Sequence, residues 1–228
     1  MGLSRHTTEG TRSVRVPIEN AVVLEGDLGV PSGPLGVVLF AHGSGSGRFS
    51  PRNQFVAAKL RGDWGLATLL IDLLTREEEA VDDVSGRLRF DLPFLAERLL
   101  AATDWLARDE ETSGLPLGYF GASTGGGAAL IAAAERPASV SAIVSRGGRP
   151  DLAGPFLHRV KAPTLLIVGG EDRVVVGLNQ QAFAHLHAEK RLEIVPGATH
   201  LFEEPGALEI VADLAGDWFR RHLGPLRQ

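Results

Sequence analysis

Cysteine is missing altogether from this chain of 228 residues. That absence excludes a disulfide framework, thiolate metal sites and any cysteine nucleophile. Lysine is scarce. Lys59, Lys161 and Lys190 are the only three, so 20 of the 23 basic residues are arginine. They are outnumbered by 28 acidic residues, and a net charge of −5 with a pI near 5.8 offers no general basic surface to nucleic acid. No apolar run approaches the ~20 residues of a membrane span. The start, Met1-Gly2-Leu3-Ser4-Arg5-His6, lacks the apolar core of a signal peptide, and His6 stands where a myristoylation site needs Ser or Thr. The expectation is a cytoplasmic protein with no nucleic-acid or membrane partner, working as a monomer or homodimer on a small molecule.

What is present can fill a core, with 44% hydrophobic and 22% charged residues. The length suits a single α/β domain, with its core over about 14–222. Short apolar runs recur at Gly36–Ala41, Ala67–Ile71, Leu117–Phe120, Val140–Ser145, Thr164–Val168 and Leu192–Val195. Most do not alternate, as expected of parallel strands covered on both faces. Ser13–Ile18 and Ala21–Leu28 alternate better and read as an antiparallel edge pair. Helical spacing appears over 53–62, 92–107, 124–135, 174–188 and 206–222. The run Glu77-Glu78-Glu79 reads as a solvated helix start. The alternation predicts an open, mostly parallel sheet with helices on both faces.

Gly121-Ala122-Ser123-Thr124-Gly125 fits G-x-S-x-G between a strand and a helix. A sharp turn there exposes the Ser123 hydroxyl above the sheet. Glycines at 121 and 125 relieve its crowding, and Gly126 and Gly127 let the helix approach the sheet. The helix N-terminus points its dipole at the charge that develops in the reaction. Downstream, Asp172 follows the strand Thr164–Val168, 49 residues after Ser123, and His200 follows Leu192–Val195, another 28 residues on. The order Ser, Asp, His is that of α/β hydrolases. In that chemistry His200 takes the Ser123 proton, while Asp172 fixes the imidazole tautomer and stabilises its charged form. Glu171 is a weaker choice for the acid and Asp151 a third. His185 and His187 resemble a ligand pair, but residues two apart on a helix diverge, so no metal is expected. His6, His158 and His222 read as exposed.

The third strand ends in His42-Gly43-Ser44-Gly45-Ser46-Gly47. A dinucleotide fingerprint fails because Arg48 stands where glycine is needed, and no P-loop exists. In α/β hydrolases an HG loop here carries the second oxyanion donor. The backbone N–H groups of Ser44 and Thr124 are therefore assigned to the oxyanion hole, with Gly45 as the alternative to Ser44. His42 then braces the loop rather than acting as a base.

Together these segments, with Gly169-Gly170-Glu171-Asp172-Arg173-Val174 and Pro196-Gly197-Ala198-Thr199-His200-Leu201-Phe202, resemble the α/β-hydrolase superfamily. The similarity is to its dienelactone-hydrolase-like branch, including small hydrolase domains found fused to phosphoribosyltransferases. It implies about eight strands with the second antiparallel, and no cofactor. Dienelactone hydrolases proper use cysteine, whereas position 123 is serine, which points away from dienelactone itself. The interval between the strands at 140–145 and 164–168 is too short for a cap domain, so only 73–91 can cover the site. An uncapped site suits small esters, thioesters or lactones. Acyl transfer or perhydrolysis at the same triad, and a non-catalytic binding module, are the alternatives.

Arginines crowd the loops at the C-terminal edge of the sheet, where ligands bind. Arg48 and Arg52 follow the third strand, Arg76, Arg87 and Arg89 the fourth, Arg146 and Arg149 the sixth, and Arg173 the seventh. Arg146, flanked by glycines, is expected to hold an anionic substrate group, helped by Arg149 or Arg89. The competing expectation is pairing with Asp72, Asp91, Asp151 or Glu77. Phe202 is expected to line the pocket mouth, and Trp105 and Trp218 to pack in the core.

Overall fold

The computed structural model describes residues 10–18 and 22–224. Residues 1–9, 19–21 and 225–228 lie outside the described residues, and with them the readings made on Met1–His6 and Ala21. In chain order the elements are β1 (Arg12–Pro17), β2 (Val23–Gly29), β3 (Val37–Ala41), α1 (Pro51–Trp64), β4 (Ala67–Ile71), α2 (Arg76–Ser85), α3 (Leu92–Leu106), β5 (Leu117–Ala122), α4 (Thr124–Glu135), β6 (Ala142–Arg146), β7 (Thr164–Gly169), α5 (Arg173–His185), β8 (Lys190–Val195) and α6 (Ala207–Leu223). Two 3-10 segments, Leu88–Phe90 and Pro150–Arg159, complete the chain.

The strands form one sheet of eight in the order β1-β2-β4-β3-β5-β6-β7-β8. β2 runs antiparallel to both β1 and β4, and the pairs from β4 to β8 are parallel. This is the α/β-hydrolase arrangement that the motifs implied. Central strands send successive side chains to opposite faces. Leu39 and Ala41 of β3, Tyr119 of β5 and Ile143 of β6 join the core under α3, α4 and the 150–159 segment. Val38 and Phe40, Phe120, and Val144 join the core under α1 and α6. Both faces are covered, so the strand sequences read as unbroken apolar runs.

Helix starts are set by caps. Ser50 accepts the Asn53 N–H, Pro51 follows at the first helical position, and Gly65 closes α1 at φ 64. α2 begins with a capping box between Thr75 and Glu78. The acidic run is thus a helix start, but Glu78 is not simply solvated. Its carboxylate accepts from the Thr75 N–H at 2.8 Å and from Arg98 Nη2 at 2.6 Å.

The strand order reverses around β3, since β4 lies on one side of it and β5 on the other. Such a switch point opens a crevice at the strands' carboxyl ends. The turns after β3 and β5 meet there. No helix among the described residues is long and apolar enough to cross a membrane.

Candidate active site

Ser123 sits between β5 and α4 at φ 51, ψ −122. Ser123 and Phe202 are the only non-glycine residues at positive φ among the described residues. Such backbone strain costs about 1–3 kcal/mol and persists only where surroundings impose it. Here the Ser123 N–H donates to the Arg146 carbonyl at 3.3 Å, and the Ser123 carbonyl accepts from Gly126 and Arg149 N–H groups, both at 3.0 Å. The glycines behave as expected. A Cβ on Gly121 would lie 2.5 Å from the Gly126 Cα, and one on Gly125 would overlap the Ala41 and His42 carbonyls. Side chains at Gly126 and Gly127 would strike Ser145 and Leu92.

Asp172 does two jobs. Its Oδ1 accepts the Val175 N–H at 3.4 Å, capping α5, and its Oδ2 accepts from His200 Nδ1 at 2.7 Å. A proton on Nδ1 leaves Nε2 as the bare, basic nitrogen. Asp151, a rival acid, is held by Arg149, and the carboxylate that His200 bonds among the described residues is Asp172 and not Glu171. Ser123 and His200 line one cavity of about 240 Å³, together with Arg146 and Asn53. No hydrogen bond within 3.5 Å joins Ser123 Oγ to His200 among the described residues. Catalytic contacts of this type commonly tighten only with substrate in place.

A model of the dienelactone hydrolase family matches residues 35–223. The chain belongs to the dienelactone hydrolase family. Over 209 residues it is 58% identical to a Mycobacterium tuberculosis protein named as a phosphoribosyl transferase, a match covering 91% of this chain and 46% of that one. The chain therefore spans about half the length of that relative. A crystal structure of a dienelactone hydrolase from Anabaena variabilis is 59% identical, superposes with a TM-score of 0.91, and is matched over 94% of this chain and 98% of that one. Est1E from Butyrivibrio proteoclasticus, 16% identical with a TM-score of 0.76 over 92% of this chain and 98% of that one, shares the fold.

In this family member the HG loop is braced as expected. His42 Nε2 accepts the Leu73 N–H at 3.0 Å, so the proton is on Nδ1, which donates to the Gly43 carbonyl at 2.9 Å. Burial lowers the pKa of His42 and keeps it neutral. The Ser46 N–H closes a turn onto the Gly43 carbonyl, with Gly45 at φ 69. Of the two expected oxyanion donors, Ser44 has its N–H on Thr124 Oγ1 at 2.9 Å. An oxyanion must share that donor or draw on Gly45.

The arginines of this hydrolase divide sharply. Arg149 makes a two-pronged bond to Asp151, both contacts at 2.8 Å. Arg89 is bonded to Asp82 at 2.5 Å and to Asp83 at 2.9 Å. Arg48 lies among Asp72, Glu25 and Asp27. These are structural pairs; the competing expectation named Asp151 and Asp72 among their carboxylates, but not Asp82, Asp83, Glu25 or Asp27. Arg146 is different: it is only 6% exposed, and among the described residues its side chain has no carboxylate partner and one hydrogen bond, from Nη2 to Asn53 Oδ1 at 3.2 Å. Burial, and then the nearby Arg52 charge, lower its pKa to about 10, so it stays cationic at neutral pH.

Two expectations need correction. Phe202 is not at the mouth. It is fully buried in the core under α1 and α6, with its ring centroid 5.8 Å from Arg146 Cζ, and Leu201 lines the cavity instead. His222 is half-buried against Trp218, while His158 is exposed. His185 ends α5 and His187 lies beyond it, and no group of three or more candidate metal ligands occurs among the described residues. Asn53 was missed as a site residue. Its signal was the Ser50-Pro51 cap, which starts α1 early and brings its first turn into the cavity.

Proposed function

We propose that the protein is a serine hydrolase that cleaves small esters, thioesters or lactones through an acyl-enzyme. The observation that carries this reading is the 2.7 Å bond from His200 Nδ1 to Asp172 Oδ2, made by a histidine that lines the same cavity as a strained, half-buried Ser123. Membership of the dienelactone hydrolase family supports it.

In the first half-reaction Ser123 Oγ adds to the substrate carbonyl carbon as His200 Nε2 takes its proton. The carbonyl oxygen becomes an alkoxide facing the Thr124 N–H and the amide of Ser44 or Gly45. Preorganised donors of this kind typically contribute about 10²–10³ in rate. Collapse breaks the ester bond, and His200 returns its proton to the leaving alcohol or thiol. Water then adds to the acyl carbon, giving a proton to His200, and the second collapse releases the acid and restores Ser123. Asp172 stabilises the imidazolium at each stage without taking its proton.

Ester, thioester or lactone substrates of modest size fit the room available. A second cavity of about 210 Å³ adjoins the first across Gly43 and Ser44, walled by Leu74, Leu95 and Arg89. A fluorophosphonate probe tests the reading. Stoichiometric labelling of Ser123, lost in Ser123→Ala, is expected. No labelling of the folded protein, alongside clean binding of a small ligand, would favour a non-catalytic module.

A further inference from the structure

Arg146 presents a physical problem that the acyl chemistry does not resolve. A buried guanidinium ordinarily has a carboxylate or a full set of hydrogen bonds, because an uncompensated buried charge is costly. Arg146 has neither: its Nε is a buried donor without a partner. The surroundings add positive charge instead of removing it. Arg52 lies close enough to push the Arg146 pKa down, and its own Nε is also buried and unpartnered. α1 begins at this cavity, so the positive end of its dipole adds to the field, and its first turn contains no acidic residue. Among the described residues Glu203 is the one carboxylate paired with either arginine, bonded to Arg52 at 2.8 Å, and its side chain is 62% exposed.

Both arginines line the cavity that holds Ser123 and His200, so their like charge bears on it. A single carboxylate would satisfy one arginine. A phosphate monoester carries close to two charges at neutral pH and three acceptor oxygens. It can accept from Arg146, from Arg52 and from the Ser50 hydroxyl at the head of α1. We propose that this end of the cavity is a phosphoryl-binding subsite, so that the ester cleaved at Ser123 carries a phosphate monoester. The subsite stands on the arginines alone; assigning its ligand to the substrate rests on the hydrolase reading above.

The test measures binding without turnover. Ser123→Ala protein is titrated, by calorimetry and by NMR, with methyl phosphate, methyl sulfate and acetate at pH 8, where the phosphate is a dianion. Saturable binding of methyl phosphate is expected, with methyl sulfate and acetate at least about tenfold weaker. Adding Arg146→Met should weaken methyl phosphate by about 10–100-fold, the range of hydrogen bonds to charged groups. Arg52→Gln should weaken it less, by several-fold. Should Arg146→Met not fold, Arg146→Lys keeps the charge but loses the fork, and a loss of tenfold or more there serves the same purpose.

Acetate binding as tightly as methyl phosphate would overturn the phosphoryl assignment. So would a folded Arg146→Met protein that binds methyl phosphate like its parent. Labelling of Ser123 by fluorophosphonate with no methyl phosphate binding would remove the subsite and leave the hydrolase. Methyl phosphate binding without labelling would do the reverse.

Discussion

On one side of the Gly43–Ser44 turn, Arg89 lies against Asp82 and Asp83; on the other, the Arg146 side chain has, among the described residues, only the amide of Asn53 as a hydrogen-bond partner. The two cavities share the HG loop, yet only one arginine is neutralised. Arg89 keeps a raised pKa because its carboxylates favour the charged form, whereas burial lowers that of Arg146. Pairing ties the first arginine to the fold of 82–89. The second is held in place by packing and leaves its charge available. Arginine at such a sheet edge therefore signals ligand binding only where the fold has not already supplied the counter-ion.

The largest expected effect removes what both cavities serve. Ser123→Ala should lower kcat/KM by at least about 10⁴-fold for every ester, charged or neutral, in a steady-state assay. Asp172→Asn should cost about 10⁴ in kcat by destabilising the productive tautomer. The next effect separates the cavities. Arg146→Met should lower kcat/KM on a phosphorylated ester by about 10–100-fold more than on its neutral analogue. Arg89→Gln should change that ratio by no more than about threefold, since its charge is already matched. Equal selectivity losses in the two variants would erase the distinction.

Stability should move the other way. Replacing an unpaired buried ion by an apolar side chain of similar length is often neutral or stabilising. Arg146→Met should therefore keep or raise the Tm in calorimetry. Arg89→Gln should lower it, by leaving the Asp82 carboxylate, 1% exposed, without its cation.

The smallest effect concerns the wall both cavities share. His42 has a pKa below its ordinary 6.5 when folded, so the unfolded chain binds more protons as the medium is acidified. Its contribution is complete above about pH 6.5 and falls away below it. Urea denaturation of His42→Gln should accordingly show a shallower loss of stability between about pH 6.5 and 5 than the parent chain.

The layout of the candidate site was legible in sequence because each part depends on local constraints. A turn at Ser123 needs glycine on both sides, and parallel strands buried on both faces leave continuous apolar runs. Asp172 and His200 were found by their places after β7 and β8. What was illegible depended on which side chains meet across the fold. Arg146, Arg149 and Arg89 look alike in the chain, and only the positions of Asp151, Asp82 and Asp83 divide them. Phe202 follows His200 closely, but at a φ of 56 its ring is buried in the core. The start of α2 was legible in Glu77-Glu78-Glu79, but its ten-residue extent was not, since the helix buries only Asp82.

The account turns on a covalent bond at one oxygen. Acid-quenching the protein during turnover of a p-nitrophenyl ester, followed by peptide mass spectrometry, tests it most directly. The acyl mass is expected on the peptide that contains Ser123, with neither adduct nor turnover in Ser123→Ala. Undiminished turnover in Ser123→Ala, with Ser123 unmodified in the parent chain, would contradict it.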